Sequence, residues 1–241
     1  MKAVVLAGGR GSRLRPLTDK LPKPMVELCG MPVMEYTVRN LVRGGITDIA
    51  VTLCYKPRVI TDYFGDGAKW GANITYFYED EPLGTAGGVK AASGFFDGDF
   101  VVASADTFTD IDYGEFARAH ASGGAPVTVA VRRVKDVSRF GVVHLDGDGT
   151  ITRFEEKPQK SDSDLVSMGI YCIGQGVMDL VPEGVKYDFA KDLFPRLVGK
   201  MKAYRTSCYW SDIGTLESYA ECREYGARAL AAGGSLAFGL R

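Results

Sequence analysis

The chain has 241 residues, with 29 Lys plus Arg against 30 Asp plus Glu and a formal net charge of -1. That balance argues against a general nucleic-acid binder, which carries a basic excess; 46% hydrophobic and 24% charged residues argue against disorder. No apolar run approaches the roughly 18–20 residues of a membrane span. The length suggests one large domain or two small ones. The opening Met1-Lys2-Ala3-Val4-Val5-Leu6-Ala7 is too short for a signal-peptide core, and five cysteines without CxxC pairs fit reduced thiols in a cytoplasm.

In chain order, residues 3–7 form a continuous apolar run closed by Gly8-Gly9, the pattern of a buried parallel strand. Met31-Pro32 opens a helix with Val33, Met34, Thr37, Val38, Leu41 and Val42 on one face, and Gly44-Gly45 stops it. Residues 48–53 read as a strand, 57–64 as a helix ended by Gly65, and 73–78 as a strand. Residues 85–93 read as a helix of small residues and 100–103 as a buried strand, and His120 falls in a polar helix. Strand and helix alternating at this spacing predict a parallel α/β sheet with covered faces. Beyond about Ala125 the pattern turns β-rich, at 127–131, 141–145, 151–154 and 166–173, with a hairpin at Asp146-Gly147-Asp148-Gly149. Helical patterns return at 175–181, 189–198 and 216–231, before a frayed tail. No unit of 20–50 residues repeats. The expectation is one mixed-sheet domain with a sugar-sized lobe placed late in the chain.

The most informative segment runs Leu6-Ala7-Gly8-Gly9-Arg10-Gly11-Ser12-Arg13-Leu14-Arg15-Pro16-Leu17-Thr18, directly after the first strand. Ligands of open α/β sheets sit beyond the carboxyl ends of strands. Glycines let backbone N–H groups approach phosphate oxygens, and Arg13 adds a permanently charged fork. Pro22-Lys23-Pro24-Met25 then holds a lysine between two prolines, which restrict its backbone. The plain alternative is a Gly-rich turn carrying solvated arginines. The segment lacks the Gly-Lys-Ser/Thr ending of a Walker A loop and the third glycine of GxGxxG.

The segment resembles the signature of the sugar-1-phosphate nucleotidylyltransferases (nucleotide-sugar pyrophosphorylases), LAGGxGTRLxPLT followed by PKPM, with Ser12 in place of Thr. The resemblance continues through Glu81-Pro82-Leu83-Gly84-Thr85-Ala86-Gly87-Gly88, Ser104-Ala105-Asp106, Phe154-Glu155-Glu156-Lys157-Pro158 and Trp210-Ser211-Asp212-Ile213-Gly214-Thr215. It is strongest to the branches that make GDP-mannose and UDP- or dTDP-glucose. It implies an α/β fold with a Rossmann-like, mixed, mostly parallel sheet flanked by helices. The expected organisation is a single catalytic domain over 1–241, with a nucleotide-binding half at 1–124, a sugar-phosphate-binding half at 125–232 and a tail at 233–241. Nothing after Thr215 has the length for the hexapeptide β-helix of longer relatives, so a bare catalytic domain is expected.

The implied reaction joins an NTP to a sugar 1-phosphate and releases pyrophosphate, with GTP and mannose 1-phosphate leading. UDP- or dTDP-glucose synthesis, heptose, amino-sugar or phosphocholine nucleotidyl transfer, and a non-catalytic nucleotide-sugar-binding regulator stay open. Arg13 and Lys23 are the expected catalytic residues. Leu6, Ala7, Gly8, Gly9, Gly11, Ser12, Glu79, Gly84 and Thr85 are expected to bind the nucleotide, and Gly141, Glu156, Lys157 and Ser167 the sugar phosphate. Asp106 and Asp212 are the expected ligands of Mg²⁺, which takes carboxylates plus phosphate oxygens; as alternatives, each caps a turn or helix. Glu79 stands where relatives that use uridine or thymidine nucleotides carry glutamine. A carboxylate only accepts hydrogen bonds, and guanine offers N1–H and N2–H₂ side by side, so Glu79 favours GTP unless it is simply solvated. Ser167 replaces an asparagine that helps hold the sugar. His120 and His144 are read as structural. No nucleic-acid or membrane partner is expected, a homodimer stays open, and the location expected is the cytoplasm.

Overall fold

The structure is a computed structural model that describes residues 1–231; the expected tail at 233–241 lies outside them. In chain order the strands are β1 (Lys2–Leu6), β2 (Glu27–Leu28), β3 (Met31–Pro32), β4 (Asp48–Leu53), β5 (Asn73–Tyr78), β6 (Phe100–Ser104) and β7 (Thr107–Thr109). There follow β8 (Val127–Arg133), β9 (Gly141–Leu145), β10 (Ile151–Glu156), β11 (Leu165–Ile173), β12 (Met201–Arg205) and β13 (Trp210–Asp212). The α-helices are α1 (Val33–Arg43), α2 (Pro57–Phe64), α3 (Gly84–Ala91), α4 (Tyr113–Gly123) and α5 (Leu216–Ala231). The fold is α/β, a mixed, mostly parallel sheet flanked by helices, and Rossmann-like. Among the described residues no β-helix occurs, and no helix is long and apolar enough to cross a membrane.

The chain forms two compact units. Among the described residues, the loop unit takes Lys2–Glu81, Ala103–Gly114 and 208–231. Here β1 lies parallel to β4 from Ala3↔Ile49 to Leu6↔Thr52, and β4 parallel to β5 from Asp48↔Asn73 to Leu53↔Tyr78. Residues 3–5 of β1 and 49–53 of β4 are buried without alternation, as a parallel strand covered on both faces requires. Helix α1 begins at Val33 rather than at Met31. Met31 and Pro32 pair with Leu28 and Glu27, and Pro32 is an extended N-cap. Leu14, Val26, Leu28, Val33, Tyr36, Phe108, Ile213 and Cys222 form one buried cluster. It ties the Gly-rich segment, the β2–β3 hairpin, α1, β7 and α5 together.

The hairpin unit takes Pro82–Val102 and Glu115–Ser207. Its hub is β11, antiparallel to β8, to β9 at Val166↔Val142 and to the start of β6 at Tyr171↔Val102. The predicted hairpin forms between β9 and β10. Strand β12 runs parallel to β8 from Met201↔Val127 to Arg205↔Val131. Two expected helices give way to short non-α turns. At 175–181, Gly176 in the left-handed region (φ 84) and Pro182 leave one 3₁₀ turn, Val177–Leu180. At 189–198, Pro195 has no N–H to continue a helix, and a π-turn at Phe189–Leu193 gives way to a 3₁₀ turn at Phe194–Arg196. These turns bury Phe189 and Phe194 against Tyr171 and Phe154, with ring centroids 4.8–5.6 Å apart.

Candidate active site

The Gly-rich segment leaves β1 at the carboxyl edge of its strands. Ala7 N donates to Thr52 O at 3.0 Å and Ala105 N to Leu6 O at 3.0 Å, so Gly8 follows directly on paired backbone. Gly9, Ser12 and Arg13 are exposed, while Leu14 is fully buried. Burying a leucine stabilises by about 2 kcal/mol; here it pins the short turn Ser12–Leu14 and leaves the Arg13 guanidinium in solvent. Gly11 has φ 66, and a Cβ there would meet Lys23 Cβ at 2.9 Å and Thr18 Cγ2 at 3.0 Å. Thr18 Oγ1 donates to Gly11 O at 2.8 Å, closing the loop over the lysine. Glu79 continues from β5, its N donating to Leu53 O at 2.7 Å. A Cβ on Gly8 would lie 3.9 Å from Glu79 Oε1. Burial pushes the Cys54 thiol up, the Glu79 charge adds to that, and Arg10 opposes it. Glu79 and Cys54 therefore meet beside Gly8.

Lys23 lies in a short turn, Lys23–Met25, entered through the extended Pro22. Its side chain is 10% exposed, and the ammonium contacts the Asp106 carboxylate, itself 30% exposed. Asp106 follows β6 and precedes β7. Strands β7 and β13 pair with Asp212 opposite Thr107, and Ile213 N donates to Asp106 O at 3.0 Å. The antiparallel ladder thus brings the two predicted metal ligands to neighbouring positions from distant parts of the chain. An aspartate whose carboxylate already contacts an ammonium, with a second aspartate next to it along the ladder, is a donor chemistry that fits a hard divalent ion completing its shell with phosphate oxygens and water.

The hairpin unit gathers the other predicted residues. Gly141 faces Glu156 across the β9–β10 ladder. A Cβ on Gly141 would meet Phe154 Cζ at 2.6 Å and Glu156 Oε2 at 3.3 Å, so only glycine fits. Lys157 has φ 50, its N donates to Phe140 O at 3.0 Å, and its Nζ lies 3.2 Å from Glu156 Oε1. Ser167 is buried on β11, and Gly169 N donates to Ser167 Oγ at 3.3 Å. Thr85 lies in the first turn of α3 and contacts Asp188 through both N and Oγ1.

Sequence reasoning missed Tyr171 and Asp188. Burial raises the Tyr171 phenol to about 12; a hydrogen bond with Ser167 opposes the rise, and the Glu156 and Asp188 charges add to it. One phenol therefore touches the fields of Ser167, Glu156 and Asp188. The usable signal was the Gly-Ile-Tyr run ending in an aromatic that carries a polar tip. His120 is buried, with Nδ1 2.8 Å from Thr128 Oγ1. His144 lies among Glu155, Asp162 and Arg153, whose Nη2 contacts Asp162 Oδ1 at 2.6 Å, so one guanidinium offsets one of the two carboxylates there.

The nucleotidyl transferase family profile matches residues 2–227. Mannose-1-phosphate guanylyltransferase of Mycobacterium tuberculosis is 35% identical over 222 residues, covering 90% of this chain and 62% of that protein. UTP–glucose-1-phosphate uridylyltransferase of Synechocystis is 36% identical over 238 residues, covering 91% and 61%. Among solved structures, HddC of Yersinia pseudotuberculosis complexed with GMP-PN aligns with a TM-score of 0.81 at 30% identity, covering 93% of this chain and 99% of that one. The chain spans about six-tenths of the length of the curated relatives it matches.

Proposed function

We propose, for a chain that belongs to the nucleotidyl transferase family, that it moves a nucleotidyl group from an NTP to a sugar 1-phosphate, giving an NDP-sugar and pyrophosphate. The observation that carries this reading is the Lys23–Asp106 contact beside a Gly-rich loop and next to Asp212. A phosphate oxygen of the sugar 1-phosphate attacks the α-phosphorus of the NTP, and the bond to the bridging oxygen of the β-phosphate breaks. Two anions must meet and charge must move onto the leaving group, so catalysis is mostly positioning and electrostatic stabilisation.

The loop backbone at Gly8, Gly9 and Gly11, together with Ser12, binds the triphosphate, and Arg13 stabilises the leaving pyrophosphate. Lys23 neutralises the α-phosphate and the incoming sugar phosphate. Asp106 and Asp212 hold a divalent cation, with Mg²⁺ suited to carboxylate and phosphate oxygens; when bound, it neutralises phosphate charge. In the hairpin unit Lys157 holds the sugar phosphate, and Glu156, Ser167 and Gly141 define the sugar's polar wall. Gly84 and Thr85 lie against the base.

GTP is the preferred donor and mannose 1-phosphate the preferred acceptor. Supporting this are the Glu79 carboxylate beside Gly8, an acceptor for guanine N1–H and N2–H₂, and the similarity to a guanylyltransferase and to a protein solved with GMP-PN. The similarity to a uridylyltransferase favours UTP with glucose 1-phosphate as the second reading. Initial rates of pyrophosphate release for GTP, UTP, dTTP, CTP and ATP against a panel of sugar 1-phosphates test both. The expected maximum is GTP with mannose 1-phosphate. Nucleotide binding without turnover on any pair would replace the enzyme reading by that of a regulator.

A further inference from the structure

The glycines at the start of α3 serve a neighbour that the motif itself does not disclose. A Cβ on Gly84 would meet Tyr187 O at 2.7 Å, and one on Gly87 would meet Val185 O at 2.7 Å. The segment around Tyr187 lies flush on the first turn of the helix. Tyr187 N donates to Leu83 O at 2.8 Å, and Ala86 N and Gly87 N both donate to Tyr187 O at 2.9 Å. Thr85 N and Thr85 Oγ1 donate to Asp188 Oδ1 at 3.3 and 3.1 Å, and Phe189 N donates to Thr85 Oγ1 at 3.0 Å.

The first amides of a helix have no partner within it. Leu83, at the N-cap of α3, supplies no side-chain acceptor. The role passes to a distant segment: Tyr187 O takes the amides of Ala86 and Gly87, and the Asp188 carboxylate, 103 residues beyond Thr85, takes the amide of Thr85. The segment that carries it is itself held: the Asp188 backbone N donates to Asp192 Oδ2 at 2.7 Å, and Arg196 Nη1 donates to the neighbouring Tyr187 hydroxyl at 2.9 Å.

We infer that Asp188 is a positioning residue for nucleotide recognition, capping α3 from a distant segment and fixing the Gly84–Thr85 turn that receives the base. This rests on the proposed role of Gly84 and Thr85 in nucleotide binding. Asp188 acts through Thr85 and needs to accept hydrogen bonds, not to carry charge. Loss of an N-cap acceptor shifts a helix start by about tenfold. An asparagine keeps the Oδ1 acceptor.

The test compares Asp188→Ala, Asp188→Asn and Thr85→Val in the full chain, using GTP and mannose 1-phosphate, or whichever pair turns over fastest. Asp188→Ala is expected to raise the KM and the equilibrium Kd for the NTP about tenfold, leaving kcat and the sugar-phosphate KM within about twofold. Asp188→Asn restores the wild-type values. Amide hydrogen exchange of the nucleotide-free protein gives an independent reading, with faster exchange at residues 85–87 in Asp188→Ala than in Asp188→Asn. An unchanged NTP KM and Kd in Asp188→Ala, with Thr85→Val raised, overturns the inference and leaves the base turn intact. A rise confined to the sugar-phosphate KM or a fall confined to kcat also overturns it. If Thr85→Val and Gly84→Ala both leave NTP binding unchanged, the base-turn reading falls and the inference with it.

Discussion

Replacing Lys23 by Met removes the ammonium from Asp106 and leaves most of the stem that Gly11 packs against. Two unit charges about 4 Å apart attract by about 4 kcal/mol at an effective dielectric of about 20. Desolvation takes part of this back. Exposed pairs contribute up to about 1 kcal/mol and the loss of one buried partner costs about 3–5 kcal/mol. With the two side chains 10% and 30% exposed, this pair falls between those limits, at about 2 kcal/mol. In a chain of this size 1 kcal/mol corresponds to about 2–4 °C in Tm, so Lys23→Met should melt about 4–8 °C lower. Divalent cation then acts more strongly on the variant than on the wild type. In the wild type it competes with an ammonium already on Asp106; in Lys23→Met it finds an unpaired carboxylate. Titration of Mn²⁺ into nucleotide-free protein should give a Kd about tenfold tighter for Lys23→Met, and Mn²⁺ should raise its Tm more. Turnover should fall far more than in Lys20→Ala, a nearby exposed lysine. Equal Mn²⁺ affinity in the two proteins would refute the competition. Mn²⁺ affinity unchanged by Asp106→Asn would remove the metal role itself.

Asp212→Asn should cut kcat by about 100-fold or more in a steady-state assay while leaving the circular dichroism spectrum unchanged; undiminished turnover excludes it as a metal ligand. Glu79→Gln should narrow the preference for GTP over UTP in initial rates by about tenfold, because an amide offers a donor where guanine also donates; identical nucleotide profiles would return Glu79 to a solvated loop. His120 is held below its ordinary pKa of 6.5 by burial, with Asp99 opposing. The unfolded chain therefore binds the proton first, and stability is full above about pH 6.5 and lost as pH falls through the folded value. Thermal melts from pH 7.5 to 5 should show a shallower fall for His120→Gln, and parallel curves would show that His120 does not supply the slope.

The parallel strands and the Gly-rich loop were legible because their signals are local. An apolar run ending in Gly8-Gly9 and a lysine between prolines mean the same in any context. Helix boundaries at 57–64 and 216–231 were readable for the same reason. Strand β12 was not: Lys202 and Arg205 give it a charged surface pattern, and only pairing with β8 makes it a strand. The 189–198 segment looked helical because its apolar spacing serves an aromatic cluster, while Pro195 forbids the helix. In the site, the motifs marked Asp106 and Asp212 one by one. Their adjacency depends on the β7–β13 ladder, which has no signature in either strand alone. Asp188 carried no signal, since a cap supplied from another part of the chain has no sequence spacing to the helix it caps.

The backbone at Lys157 has one further consequence. Side chains on a strand obey a parity: neighbours point to opposite faces. Glu156 ends β10 and Lys157 comes next, so a strand extended by one residue would send their charges apart. The left-handed φ of 50 at Lys157, anchored by its N–H to Phe140 O, breaks that parity and lets Nζ come within 3.2 Å of Glu156 Oε1. Two consecutive residues thereby present a single two-signed surface, a cation and a hydrogen-bond acceptor side by side where an unbroken strand would have held them on opposite faces.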